Sequence, residues 1–136
     1  MKTTGAVFVW FTAFLFPLAS ISQEPNKQAL SNVEISYTYS DGGAVILTMK
    51  DGKLGYRWTA GVFKGVEVAN RTYFSRKIAD SMYLVSWHDT ENKNFVSLVF
   101  DLKRSTEYGT ALIAYSKPDE VAMFDDAKIS RVNWLK

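Results

Sequence analysis

The chemistry this chain can offer rests on Tyr37, Tyr39, Tyr83, Trp87, Asp89 and Arg57. Tyr37 and Tyr39 are two residues apart, and Tyr83, Val85, Trp87 and Asp89 continue the same spacing further along. In extended backbone, residues two apart share a face, so each set points one way. If both faces look into one interior, phenols and a carboxylate converge on an apolar space that suits a small hydrophobic or aromatic molecule. The tyrosines would then donate hydrogen bonds and Trp87 would form an apolar wall. Asp89 would accept from a ligand hydroxyl or amine, or act as a general acid or base if burial raises its pKa. Arg57 could grip a ligand carboxylate with two parallel hydrogen bonds, although it lies out of phase with Tyr56 and Trp58. The competing reading makes the aromatic residues core filling and Asp89 the first residue of a polar loop. The spacing leaves both open.

Other chemistries lack their residues. His88 is the only histidine and there is no cysteine, so multi-histidine and thiolate metal sites are excluded. Neither a metal nor a cofactor is expected. A serine–histidine–acid triad through His88 stays formally open, but no nucleophile-elbow motif accompanies it. His88 ends an apolar run beside a polar segment, which predicts an exposed ring. Asp41-Gly42-Gly43 and Asp51-Gly52 read as turns, since neither shows the alternating oxygen ligands of a calcium loop.

The elements that must position these residues are short and β-type. VEISYTY (33–39) alternates, with Val33, Ile35, Tyr37 and Tyr39 on one face. AVILTM (44–49) and LGYRWT (54–59) flank Asp51-Gly52, a strong hairpin signal. MYLVSW (82–87) is the clearest strand and leads through HDTENKN to FVSLVFDL (95–102). Residues 106–115 read as a strand interrupted by Gly109, and 127–134 as one that closes the sheet. Segment 67–78 favours strand through Thr72-Tyr73-Phe74, and 116–126, with Pro118, reads as a turn or a short helical piece. No 3.6-residue apolar stripe is long enough for a dominant helix. The fold class is therefore all-β: a small antiparallel barrel of eight or nine strands, whose closure would remove vulnerable edges. A two-sheet sandwich is the alternative. Several strands are apolar on both faces, which a homodimer would explain.

The first 22 residues have the three parts of a secretory signal peptide: Lys2, an apolar run from 6 to 18, then small residues at Ala19, Ser20 and Ser22. The run is shorter than the ~20 residues a membrane span needs. A polar leader, 23–32, contains Pro25 and shows no period, and 33–136 is expected to form the barrel domain. Cleavage removes one of the 16 basic residues and none of the 14 acidic ones, leaving a net charge of +1. No single-sign run creates a field for nucleic acid or anionic lipid. The expected location is periplasmic or extracellular, and the expected partner is a small hydrophobic or aromatic molecule.

The order Tyr37-Thr38-Tyr39, Tyr56-Arg57, Gly65, Tyr83-Leu84-Val85-Ser86-Trp87 and Val96-Ser97-Leu98 resembles the barrel of bacterial phenolic acid decarboxylases. It resembles still more closely the small MoaF-related proteins, over roughly residues 35–134. The likeness implies a lipocalin-like, calycin-type barrel with a central cavity. Carried over, the tyrosines that hold the substrate carboxylate fall on Tyr37 and Tyr39, and the essential glutamate on Asp89, one methylene shorter. The essential arginine falls on Val66, which offers a carboxylate neither charge nor hydrogen bonds. Three readings follow: a ligand-binding barrel, a small lyase or isomerase acting on an aromatic or hydrophobic acid in the same cavity, and a filled structural or inhibitory barrel. If the export signal is read correctly, N-terminal sequencing of the protein from a periplasmic or secreted fraction will find Gln23 first. A chain that still begins at Met1 would overturn the signal-peptide reading.

Overall fold

Alternation becomes inside and outside once the strands pair. The structure, a computed structural model, describes residues 28–136; the expected signal peptide and the first part of the leader lie outside the described residues. Eight strands follow in order: β1 (Val33–Tyr39), β2 (Ala44–Lys50), β3 (Lys53–Ala60), β4 (Glu67–Ala79), β5 (Met82–Asp89), β6 (Asn94–Asp101), β7 (Thr106–Ile113) and β8 (Val121–Trp134). Each pairs antiparallel with its sequence neighbour, and β1 also pairs with β8, closing the barrel. No helix occurs among the described residues. The expected all-β antiparallel barrel is the architecture found, with eight strands.

The residues read from alternation as one face of β1 all point inward: Val33, Ile35 and Tyr37 are buried and Tyr39 packs against them. Val45, Leu47 and Met49 do the same on β2, and Val85 and Trp87 on β5. Segment 67–78 is the long strand β4, bent by an extra residue opposite Gly55, where Leu54 pairs with Arg71 but Tyr56 with Val68. Asn70 takes up this bulge at φ 60°, a conformation asparagine tolerates better than most residues. Gly55 permits it, because a Cβ there would stand 3.0 Å from the Val68 carbonyl oxygen. The stretch 116–126, read as a turn or helical piece, instead yields a turn and then strand. β8 starts at Val121, because Val121 to Phe124 find partners in Ile113 to Thr110 of β7.

One end of the barrel is plugged. Residues 28–32, expected as part of a loose leader, cross that end and seat Leu30, which is wholly buried. Leu30 N–H donates to Ser75 Oγ at 2.9 Å, and its carbonyl accepts from the Tyr73 hydroxyl at 3.0 Å. The Leu135 N–H donates to the Asn32 carbonyl at 2.7 Å, tying the chain's end to the same rim. A single apolar residue in a polar stretch carries no period, so its burial is decided by the open barrel end that it meets. Around it Met49, Leu54, Tyr73, Val85 and Phe100 are fully buried. Leu30→Ala should therefore cost about 2–5 kcal/mol of stability, read as a lower midpoint in urea unfolding. A loss under 0.5 kcal/mol would mean that the plug is not part of the core.

Candidate functional site

The opposite end is not filled. A cavity of about 450 Å³ opens there, lined by Tyr37 and Tyr39 of β1, Tyr56 and Trp58 of β3, Trp87 of β5, and Val96 and Leu98 of β6. Its far wall, on β7 and β8, is built from Gly109, Ala111, Ile113, Val121, Met123 and Asp125. The space exists because large rings on β1, β3 and β5 face glycine and alanine on β7. Phe63 and Val66, from the loop after β3, stand at the mouth and are 45 % exposed.

The rings are coupled. Tyr39 stacks on Trp58 at 5.7 Å and 21°, and Trp58 meets Phe63 at 5.1 Å. Deeper in, Tyr37 contacts Tyr39 edge-on at 5.7 Å and Phe100 at 5.9 Å. Tyr56 and Trp87 form a second pair, 5.8 Å apart. Offset and edge-to-face contacts of this kind add about 0.5–1.5 kcal/mol each beyond burial, so these walls are held in place before anything binds. Burial raises the pKa of Tyr37, Tyr39 and Tyr56, which keeps the phenols neutral and able to donate.

Of the residues singled out in the sequence, Tyr37, Tyr39 and Trp87 line the cavity. Tyr83 shares the inward phase but packs, half-buried, against the core lower down rather than on the cavity wall. Arg57 is exposed on the outside of β3, in a shallow surface depression with Lys64 and Glu67. Strand alternation puts it there, since Tyr56 and Trp58 take the inside. His88 is exposed too and shares a 2.7 Å hydrogen bond with the Tyr115 hydroxyl.

Asp89 is buried but occupied. Its Oδ1 accepts the Asn92 backbone N–H at 3.1 Å and its Oδ2 the Asn92 side-chain amide at 2.7 Å. Arg71 Nε stands 3.1 Å from Oδ2, too poorly aligned to count as a hydrogen bond, while Arg71 Nη2 reaches Glu91 at 3.0 Å. Burial would raise the Asp89 pKa, but the two Asn92 hydrogen bonds and the Arg71 charge outweigh it and hold the pKa below its usual value. The carboxylate ties off the β5–β6 turn. Asp101 does the same after β6, accepting the Arg104 N–H at 2.9 Å. Asp89 is absent from the cavity wall.

The acid that the sequence reading missed is Glu107. It faces inward on β7, is wholly buried, and neither carboxyl oxygen has a hydrogen-bond partner. Gly109 makes room for it: a Cβ there would lie 2.8 Å from Glu107 Oε1 and 3.2 Å from Leu98 Cδ2. The carboxyl thus rests against the inner face of Gly109, a residue of the cavity wall, in space that a side chain there would fill. Burial, reinforced by the charges of Asp125 and Asp126, pushes its pKa up to about 8. The signal was present in the spacing Glu107, Gly109, Ala111, Ile113. It became readable only once that face was known to be the inner one.

No family model and no curated protein matches the chain. Solved structures do match. One, titled as a "putative beta-lactamase" from Burkholderia vietnamiensis, superposes with a TM-score of 0.67 at 14 % identity, over 80 % of this chain and 100 % of that one. At that identity the match carries the fold alone.

Glu107 also generates a pH signature. Its pKa is about 8 folded, against an ordinary 4.5, so between those values the folded state holds a proton that the unfolded state has lost. Stability therefore falls as pH rises through this window, by roughly 3 to 5 kcal/mol in total, and this contribution is level outside it. Glu107→Gln should flatten the difference, so that its melting temperature relative to wild type rises from pH 5 to pH 9. Parallel curves for the two proteins would show that the carboxyl is not held neutral.

Proposed function

We propose that this protein is an exported barrel that binds a small hydrophobic or aromatic molecule in its open end. The observation that carries the reading is the aromatic cavity itself. Eight strands leave an interior just wide enough to be filled by side chains or to hold one small ligand, and here only the lower half is filled. Tyr37, Tyr39 and Trp87 would contact the ligand, joined by Tyr56 and Trp58. Rings already packed against one another lose little freedom on binding, which favours affinity.

The signal-like first 22 residues support export to the periplasm or beyond. A lyase or isomerase using Asp89 as its acid or base fits the geometry less well, because both oxygens of that carboxylate are engaged by Asn92 and Arg71. A decarboxylase of the phenolic acid type fits less well again. Val66, at the place of the family's arginine, lines the mouth with an apolar side chain, and Arg57 faces outward.

The test uses a neutral fluorescent probe, N-phenyl-1-naphthylamine, with Ala111→Trp as the variant that fills the space from β7. The probe should brighten at one equivalent per barrel, and the variant, at unchanged melting temperature, should bind about tenfold more weakly or worse. Native mass spectrometry of protein purified gently from its own cells should show a small-molecule adduct that the variant loses. Probe binding equal in both proteins would place the ligand elsewhere and sink the reading.

A further inference from the structure

The charges around the cavity say what kind of molecule belongs in it. Resting on the ligand-binding reading above, we infer that the cavity selects organic cations: amines whose apolar body lies among the rings of Tyr39, Tyr56, Trp58 and Trp87 while the ammonium group points to Glu107 and Asp125.

Among the described residues, no Lys, Arg or His lines the cavity, and its charged members are Asp41 and Asp125. Asp125 sits across from Gly109 in the β7–β8 register, and Glu107 lies on the same inner face one step below. A wall residue without a side chain is thus flanked by two carboxyl groups, one of them wholly buried and with both oxygens unpartnered. Buried polar groups without partners are uncommon, and each one needs an explanation. An ammonium beside Gly109 would provide one, since a positive charge relieves the repulsion between Glu107 and Asp125 and takes the place of the proton that burial otherwise keeps on Glu107. Asp41 has one carboxylate oxygen committed to the Gly43 N–H at 2.8 Å and adds negative charge near the mouth.

The rings favour the same class of ligand. Tyrosine and tryptophan faces attract cations, most strongly where water is excluded, and five such rings line the space. Beyond its burial, the carboxyl groups of Glu107, Asp125 and Asp41 raise the Tyr39 pKa further, so three acids lie near one part of the aromatic wall. Arg71, on the side of Tyr56, is already held between Asp89 and Glu91. A carboxylate ligand would meet acids and find no cation, whereas an amine would meet complementary charge and the faces of aromatic rings.

The experiment is calorimetric titration with three probes that share an indole ring: tryptamine, its alcohol tryptophol, and indole-3-acetate. Benzylic and alkyl sets with the same three end groups extend it. The amine should bind about tenfold or more tightly than the alcohol, with the acid weakest. Glu107→Gln and Asp125→Asn should each close the gap between amine and alcohol while leaving the alcohol's affinity within about twofold. Asp125 is exposed, so its variant keeps the test open should Glu107→Gln fail to fold. Asp80→Asn, which removes an acid at the plugged end, should leave the gap unchanged. Alcohol or acid binding as tightly as the amine would overturn the inference and leave the binding reading standing. If no member of any set binds, both fall.

Discussion

Closure of β1 onto β8 is the constraint from which the rest follows. In an open sheet each strand could turn either face to the core, and an edge would remain to be protected. In a closed barrel every strand has two neighbours, and one face of each must supply the interior. The register Tyr37↔Ile129 and Tyr39↔Ala127 joins the two ends of the chain into that ring. It therefore determines at once which side chains of all eight strands meet at the centre. A slip of one residue would send Tyr37 and Tyr39 outside and replace them with Ser36 and Thr38.

Given closure, the volume of the inward residues decides what the interior becomes. Towards the plugged end Leu30, Tyr73 and Phe100 meet Met49 and Leu54 and leave no space, so that end acts as the hydrophobic core. Towards the open end the packing is looser. Tyr56, Trp58 and Trp87 share the cavity with small residues of β7, Gly109 and Ala111, and the cavity is the unfilled remainder. The packed core and the open cavity thus occupy different ends of one tube. This division explains why the described part of the leader is packed: without Leu30 the filled end would be open to water.

Acidic residues follow the same division. Asp89 and Asp101 are buried at strand ends but find backbone and side-chain donors within three residues, so they are satisfied and structural. Glu107 is buried inside β7 rather than at a turn, and neither backbone nor side chain donates to its carboxyl oxygens. A charge removed from water without a partner is costly, so next to its cavity the protein keeps this carboxyl protonated up to about pH 8. The contrast between a paired and an unpaired buried acid separates a turn cap from a candidate binding group.

The sequence by itself determined the class of fold and much of its inner surface. Alternation through VEISYTY and the turn at Asp51-Gly52 come from local backbone preference and a period of two, which need no knowledge of the neighbours. They were enough to place Tyr37 and Tyr39 on one face of β1, but not to say that this face is the inner one. They were not enough for β5, where Leu84 and Val85 are equally apolar, nor for Arg57, whose side depends on which face of β3 closes inward. Val121 to Phe124 became strand because β7 offered them partners, and Leu30 became core because a barrel end lay open beneath it. Glu107 is the sharpest case, for its chemistry comes from lacking a partner. Whether a carboxyl has a partner is set by every strand around it, and only the closed barrel brings those strands together.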